Sequence, residues 1–265
     1  MTPLFPLRSR RKQECLTTPF SLSPLRYWGK ASIPLNTPIN PSVSVTLDQA
    51  DLRAVTSCVA SPNFPTDRLW LNGEEVDVVS SKRFRACVDG VKALSPPSFS
   101  SHKVHVSSMN TFPTAAGLAS SAAGYAALVA CLAETFGAKE TFPGELTTIA
   151  RQGSGSACRS MYGGFVAWRM GGARADATDS KAEQVCPESH WPELRAVILV
   201  VSDEKKDTSS TQGMSTSVET SELLGHRAGS GLVDRRMAEI EGAFKRRDFG
   251  KFAEVTMKDS NQVSA

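Results

Sequence analysis

Apolar and polar positions begin to alternate at residue 42, and the period of the pattern then changes along the chain. SVSVTL (42–47) reads as a strand, because successive side chains of an extended backbone point to opposite faces. LRAVTSCVA (52–60) follows a polar turn, and RLWLNGEEV (68–76) reads as a hairpin with Asn72-Gly73 as its tight turn. A short helix is predicted over 81–93, a loop at Pro96-Pro97 and a strand at KVHVSSM (103–109). Helical spacing returns over 120–135, ended by Gly137, and again over 145–151. GGFVAWRM (163–170) and RAVILVVS (195–202) read as strands. Two helices, 234–247 and 248–260, close the chain, and the first puts Met237, Ile240 and Phe244 on one face. Strands and helices mix without strict alternation and without an internal repeat, so the predicted class is α+β.

Composition narrows the function classes. With 40% hydrophobic residues over 265 positions, the chain can bury one large core or two modest ones. Its longest apolar strip, Ala196–Val201, is far short of the ~20 residues that a membrane-spanning helix needs, so a soluble protein is expected. The net charge of +3 sits at the start, where Arg8, Arg10, Arg11 and Lys12 face Glu14 alone. The rest is balanced, which gives nucleic acid no support as a partner. Cysteines 15, 58, 87, 131, 158 and 186 form no C-x-x-C pair and follow no secretory apolar segment, as expected for reduced thiols. Residues 1–24 combine the basic cluster with Pro3, Pro6, Pro19 and Pro24. Arginine and serine suit a transit peptide, but the prolines spoil its amphipathic helix, and a disordered start is expected.

Three clusters carry candidate chemistry. In P-T-A-A-G-L-A-S-S-A-A-G (113–124), every residue from Thr114 to Gly124 except Leu118 is Ala, Gly, Ser or Thr. Small residues admit a ligand to the backbone, and the helix behind them offers free N–H groups to an anion. Ser120 and Ser121 add hydroxyls that could also meet Mg²⁺, although no Walker-type G-x-x-x-x-G-K-[ST] occurs; close helix packing is the plain alternative. G-S-G-S-A-C-R (153–159) suits an oxyanion pocket, with Arg159 able to grip a carboxylate or phosphate through two parallel bonds, or is a turn with a surface arginine. Cys158, beside Arg159, could have a depressed pKa, but no histidine lies near it in sequence to make a nucleophile. Y-W-G-K (27–30) places a hydroxyl and an ammonium around Trp-Gly, or is a surface lysine beside a packed Trp. His102 and His105 lack metal-ligand spacing.

Taken together, YWGK (27–30), INPSVSVTL (39–47), LWLNG (69–73), NTFPTAAGLASSAAGYAAL (110–128), RQGSGSACRSMYGGFVAW (151–168), ESHWPELRAVILVVS (188–202), KKDTSSTQGM (205–214) and MKDSNQ (257–262) resemble the mevalonate diphosphate decarboxylase family. That family belongs with galactokinase, homoserine kinase and mevalonate kinase in the GHMP kinase superfamily. The resemblance implies a GHMP-kinase-like ATP- and substrate-binding domain over 25–202 after an atypical segment 1–24, and the start of an incomplete C-terminal domain over 203–265. It implies ATP-dependent decarboxylation of (R)-5-diphosphomevalonate to isopentenyl diphosphate, in the cytoplasm, in isoprenoid and sterol synthesis. ATP is the co-substrate, Mg²⁺ comes with it rather than on a protein metal site, and the full-length protein would be a homodimer. Carried over residue by residue, Tyr27, Trp28, Gly29, Lys30, Ser154, Gly155, Ser156, Ala157 and Cys158 would line the substrate pocket. Arg159 would hold the carboxylate and rank with Ser120 as catalytic, while Arg83 and Thr211 would contact the substrate phosphates. Pro113, Ala116, Gly117, Leu118, Ala119, Ser120 and Ser121 would belong to the ATP phosphate loop.

Two departures stand out. The family's D-A-G-P-N motif, whose Asp serves as base for the 3-hydroxyl, occurs nowhere in this sequence, and nothing gives nearby Asp259 that role. An inactive fragment that binds ligand or a full-length subunit, or a sister small-molecule kinase, are the rival readings. The family also begins T-A-P-x-N-I-A, whereas T-T-P-F-S-L-S-P-L-R (17–26) has Ser21 at the Asn position, Arg26 at a Lys position and Pro24 where a paired strand is expected.

Overall fold

The structure is a computed structural model that describes residues 13–19, 21–111, 120–199 and 210–264. The chain opens with β1 (Gln13–Pro19) and β2 (Ser21–Leu25), then a short pair, β3 (Lys30–Ser32) and β4 (Thr37–Pro38). It continues through β5 (Ser42–Thr46), β6 (Arg53–Ser61) and the hairpin β7 (Arg68–Leu71) and β8 (Glu74–Val76). Next come α1 (Lys82–Ala93), β9 (Lys103–Asn110), α2 (Ser120–Phe136) and α3 (Glu145–Gly153). A 3₁₀ segment, Gly155–Met161, leads to β10 (Phe165–Trp168) and β11 (Ala182–Cys186). Helices α4 (Ser210–Thr220), α5 (Glu222–Gly229), α6 (Leu232–Arg246) and α7 (Phe249–Ser264) complete the described residues.

Among the described residues, two larger sheets carry two cores. The first has the order β1-β6-β9-β7-β8 and is antiparallel except where β7 runs parallel to β9. Cys58, Val104 and Val106 from this sheet meet Phe84, Val88 and Val91 of α1, Leu132 and Phe136 of α2, and Ile149 of α3. The second sheet, β11-β10-β5-β2, is antiparallel. Its Leu25, Val43 and Phe165 pack on Met237, Ile240 and Phe244 of α6 and Val255 of α7, so the apolar face expected on α6 is the one buried. Asn72 and Gly73 take φ of 51° and 92°, both left-handed, as a two-residue hairpin turn with the right twist requires. Ser81 caps α1 by accepting the Phe84 N–H, one of the donors that the first turn leaves unpaired.

Two expectations are corrected. Residues 13–19 and 21–24 are not disordered: β1 pairs with β6 from Gln13↔Val59 to Pro19↔Arg53, and β2 pairs with β5. Both are edge strands, where proline is tolerated. Pro24 falls where the β2–β5 register shifts between Leu22 and Leu25, and the Ser23 hydroxyl there donates to the Val43 carbonyl at 2.9 Å. Second, residues 195–199 of the predicted strand 195–202 form none, and 200–202 lie outside the described residues. Apolar character predicts burial, but a strand also needs a hydrogen-bonding neighbour, and Val197 and Leu199 stay 86% and 84% exposed. His102 and His105 pack against aromatic rings, His105 stacking on Phe64 with centroids 3.7 Å apart. No helix among the described residues is long and apolar enough to cross a membrane.

Candidate active site between the two cores

The end of β2 delivers Tyr27, Trp28, Gly29 and Lys30 into the space between the two cores, and the 3₁₀ segment brings Arg159 to the same place. Arg159 is only 4% exposed, which excludes the surface-arginine reading. Its guanidinium donates to Ser42 Oγ at 2.5 Å and Ser23 Oγ at 3.5 Å and lies 5.8 Å from the centre of the Trp168 ring. No carboxylate among the described residues pairs with it, and its Nε has no partner. A buried cation without a counter-charge is electrostatically costly, and burial pushes its pKa down. The Tyr27 ring sits 4.8 Å from Trp168, and its buried hydroxyl also lacks a partner. Burial raises that phenol to about 12 against the pull of Arg159, so it remains a neutral donor. Two unused donors and an uncompensated positive charge make a receptor for an anion.

A second cationic group lies beside the first. Burial and the nearby Arg83 guanidinium lower the Lys30 pKa. Arg83, on α1, donates to Thr211 Oγ1 of α4 at 3.0 Å, which joins two positions expected to contact phosphate. Trp28 Nε1 donates to Ser217 Oγ of α4 at 3.0 Å. Gly29 has φ of 98°, which favours glycine, and a Cβ there would come within 2.7 Å of Ile39 Cδ1, so that side chain would have to shift.

The serine cluster meets α2 directly: Ser121 Oγ and Ser154 Oγ are 3.3 Å apart. Ser120 opens α2, while Pro113, Ala116, Gly117, Leu118 and Ala119 lie outside the described residues. The packing alternative holds for the helix itself, since Ala123 and Ala127 contact Ala54 of β6. Gly155 is needed for contact, because a Cβ there would stand 3.0 Å from both Trp168 and the Tyr27 hydroxyl. Ser156 is partly exposed, whereas Ala157 belongs to the first core and Cys158 to the cluster around Trp168.

The depressed pKa suggested for Cys158 is corrected. Burial raises this thiol to about 12 despite Arg159 and Arg151, and raises Cys87 to about 12 as well. At pH 8 the thiolate fraction would be about one part in ten thousand. Neither cysteine is therefore expected to react with a thiol reagent at pH 8 until denaturant is added, and a mass-mapped labelling course checks this. The unfolded chain releases these protons near pH 9 and the folded chain does not. Their contribution to stability is therefore complete below that pH and declines as pH rises toward 12.

Sequence reasoning missed Ser23, Ser42 and Ser217. The alternation in SVSVT put Ser42 opposite Val43, but the pattern does not say that an arginine waits on that face. Ser21, at the altered Asn position, lies 3.3 Å from the Ser160 hydroxyl, next to Arg159.

The mixed-sheet α+β fold is GHMP-kinase-like, and it buries a hydroxyl-bonded arginine beside Tyr27, just after β2. Residues 18–182 match the diphosphomevalonate decarboxylase-like N-terminal domain, and 196–265 the mevalonate 5-diphosphate decarboxylase C-terminal domain. The chain belongs to the diphosphomevalonate decarboxylase family. It is 53% identical to diphosphomevalonate decarboxylase of Homo sapiens, covering 94% of this chain and 63% of the relative. For the Ganoderma lucidum protein the values are 51%, 96% and 65%. The chain thus spans less than two thirds of these curated relatives. A solved mevalonate 5-diphosphate decarboxylase superposes with a TM-score of 0.86 at 46% identity, covering 95% of this chain and 66% of that one. The complex of MDDEF with MVAPP, AMPPCP and magnesium gives 0.77 at 30% identity, covering 96% and 74%.

Proposed function

We propose that this chain binds (R)-5-diphosphomevalonate and MgATP at the pocket around Arg159, and that it serves ATP-dependent decarboxylation to isopentenyl diphosphate. The observation that carries the reading is the buried Arg159 guanidinium with no acidic partner among the described residues. A substrate with a carboxylate at one end and a diphosphate at the other fits two separate cationic groups. Arg159 takes the carboxylate with the Tyr27 hydroxyl beside it, and Lys30, Arg83 and Thr211 take the diphosphate. ATP phosphorylates the tertiary 3-hydroxyl; phosphate departs, the carboxylate leaves as carbon dioxide, and its bonding electrons form the double bond. Phosphoryl transfer is mostly positioning and charge neutralisation. The hydroxyls at the start of α2, Ser120 and Ser121, suit a hard cation with oxygen ligands, and Mg²⁺ bound with ATP would neutralise phosphate charge. The reading includes a cytoplasmic setting and a homodimer for the full-length protein.

A second reading, ligand binding without turnover, is favoured by a specific fact: D-A-G-P-N is absent from these 265 residues. Asp259 does not replace its acid, because it is wholly buried and engaged by two arginines. Losing a general base typically costs about 10²–10⁴-fold in rate. Calorimetric titration with mevalonate diphosphate, followed by a carbon dioxide release assay with ATP and Mg²⁺, tests both readings. Binding with release at family rates supports turnover, binding alone supports the second reading, and no binding by the folded chain overturns both.

A further inference from the structure

Behind the Tyr27–Lys30 segment lies a buried ionic cluster that the chemistry above leaves unused. Asp259 of α7 is 0% exposed. One carboxylate oxygen accepts the Arg26 N–H at 2.9 Å. The other meets Arg227 of α5 at 2.5 Å and Arg236 of α6 at 3.1 Å. Arg227 Nη2 also donates to the Arg26 carbonyl at 3.2 Å, as Asn40 Nδ2 does at 3.0 Å. Gln262, one turn beyond Asp259, accepts from Arg227 at 3.0 Å and Arg236 at 2.6 Å. Arg227 and Gln262 further line a small cavity bordered by Trp28 and Ser217.

Apolar side chains could join three helices as firmly as a buried ion cluster, since desolvating charges costs much of what their attraction returns. What this cluster adds is direction. It fixes the N–H and the C=O of the residue immediately before Tyr27, and so the path on which Tyr27, Trp28 and Lys30 enter the pocket. We propose that Asp259 and Arg227 are positioning residues that hold the Tyr27–Lys30 segment in its substrate-binding geometry. This rests on the substrate reading above for its ligand, though not for its structural content.

Hydrogen exchange and ligand titration on the full chain test it with three variants. Arg227→Lys keeps a charge beside Asp259 but cannot span both Asp259 and the Arg26 carbonyl. Asp259→Asn removes the charge that organises the pair. Arg236→Gln disturbs the cluster without touching a bond to Arg26. In the first two, amides 26–30 should exchange at least about tenfold faster while β6 and α2 keep their protection. The dissociation constant for mevalonate diphosphate should rise about tenfold, and that for a non-hydrolysable ATP analogue should change less than about twofold. Arg236→Gln should match the parent protein in both readouts. Unchanged exchange at 26–30 in Arg227→Lys and Asp259→Asn would overturn the proposal. So would an equal effect of Arg236→Gln, or loss of the global fold in both positioning variants, since each makes the cluster general support. A parent chain that does not bind mevalonate diphosphate would sink the substrate reading, and the exchange arm would still decide the clamp.

Discussion

Arg159→Gln is expected to weaken mevalonate diphosphate binding about a hundredfold and, in the same molecule, to raise the unfolding temperature. Charge-assisted hydrogen bonds from a guanidinium to a carboxylate contribute about 1.5–3 kcal/mol, and a hundredfold corresponds to about 2.7 kcal/mol. The opposite sign for stability follows from the burial of Arg159 without an acidic partner among the described residues. Serine hydroxyls from β2 and β5 solvate it only in part, so the ligand-free protein carries a desolvated charge. Neutral replacement of such a group often gains about 1 kcal/mol or more. Titration calorimetry and differential scanning calorimetry on one preparation read both effects. A fall in the unfolding temperature would mean that the bonds to Ser42 and Ser23 outweigh the burial of the charge, and the argument for an anionic ligand would lose its footing. Arg159→Lys should not restore affinity, because a lysine lacks the planar fork that matches a carboxylate.

Gly164→Ala carries the largest expected effect on folding. Gly164 has φ of 80°, and a Cβ there would stand 2.3 Å from the Cys186 carbonyl oxygen and 2.6 Å from the Glu188 nitrogen. These are backbone atoms that no rotamer change can move. The same residue exchanges two hydrogen bonds with Thr46, at 2.6 Å from its N–H to Thr46 Oγ1 and 2.9 Å from the Thr46 N–H to its carbonyl. Left-handed strain of about 1 kcal/mol or more adds to an overpacking cost of about 1–3 kcal/mol and to the loss of the Thr46 contacts. A total near 3–5 kcal/mol would consume much of an ordinary domain's stability. Urea unfolding should show the midpoint falling steeply or the variant already unfolded. A midpoint within experimental error of the parent would show that β10 and the turn after β11 can separate without cost.

The parts legible in the sequence were those with a local physical signature. Asn72-Gly73 declared its hairpin because few other residue pairs accept two left-handed φ values, and α6 declared its buried face through Met237, Ile240 and Phe244. Helices α4 and α5 escaped notice. Of α4 only Met214 is buried, so its sequence shows no apolar stripe, and α5 buries only Leu224 and Arg227. The strand expected over 195–202 is absent from its described part, 195–199, for the converse reason: its apolar run was plain, but its pairing depends on a neighbour that no local pattern encodes. In the site, Arg159, Tyr27 and Lys30 stood out from their own clusters, Arg83 and Thr211 came from the resemblance, and the structure adds contacts among them. The burial of Arg159, its missing counter-charge among the described residues and its support from Ser23 and Ser42 arise from residues distant in sequence.

The pocket draws its walls from elements anchored in different cores. Arg83 rises from α1 in the first, while Tyr27 stands two residues after Leu25 of the second. Each core has its own sheet and helices. The proposed ligand, a carboxylate joined to a diphosphate, would touch both at once and so oppose their separation. Occupancy would stabilise both cores together, and the proposed ligand would act as a cross-brace as well as a reactant.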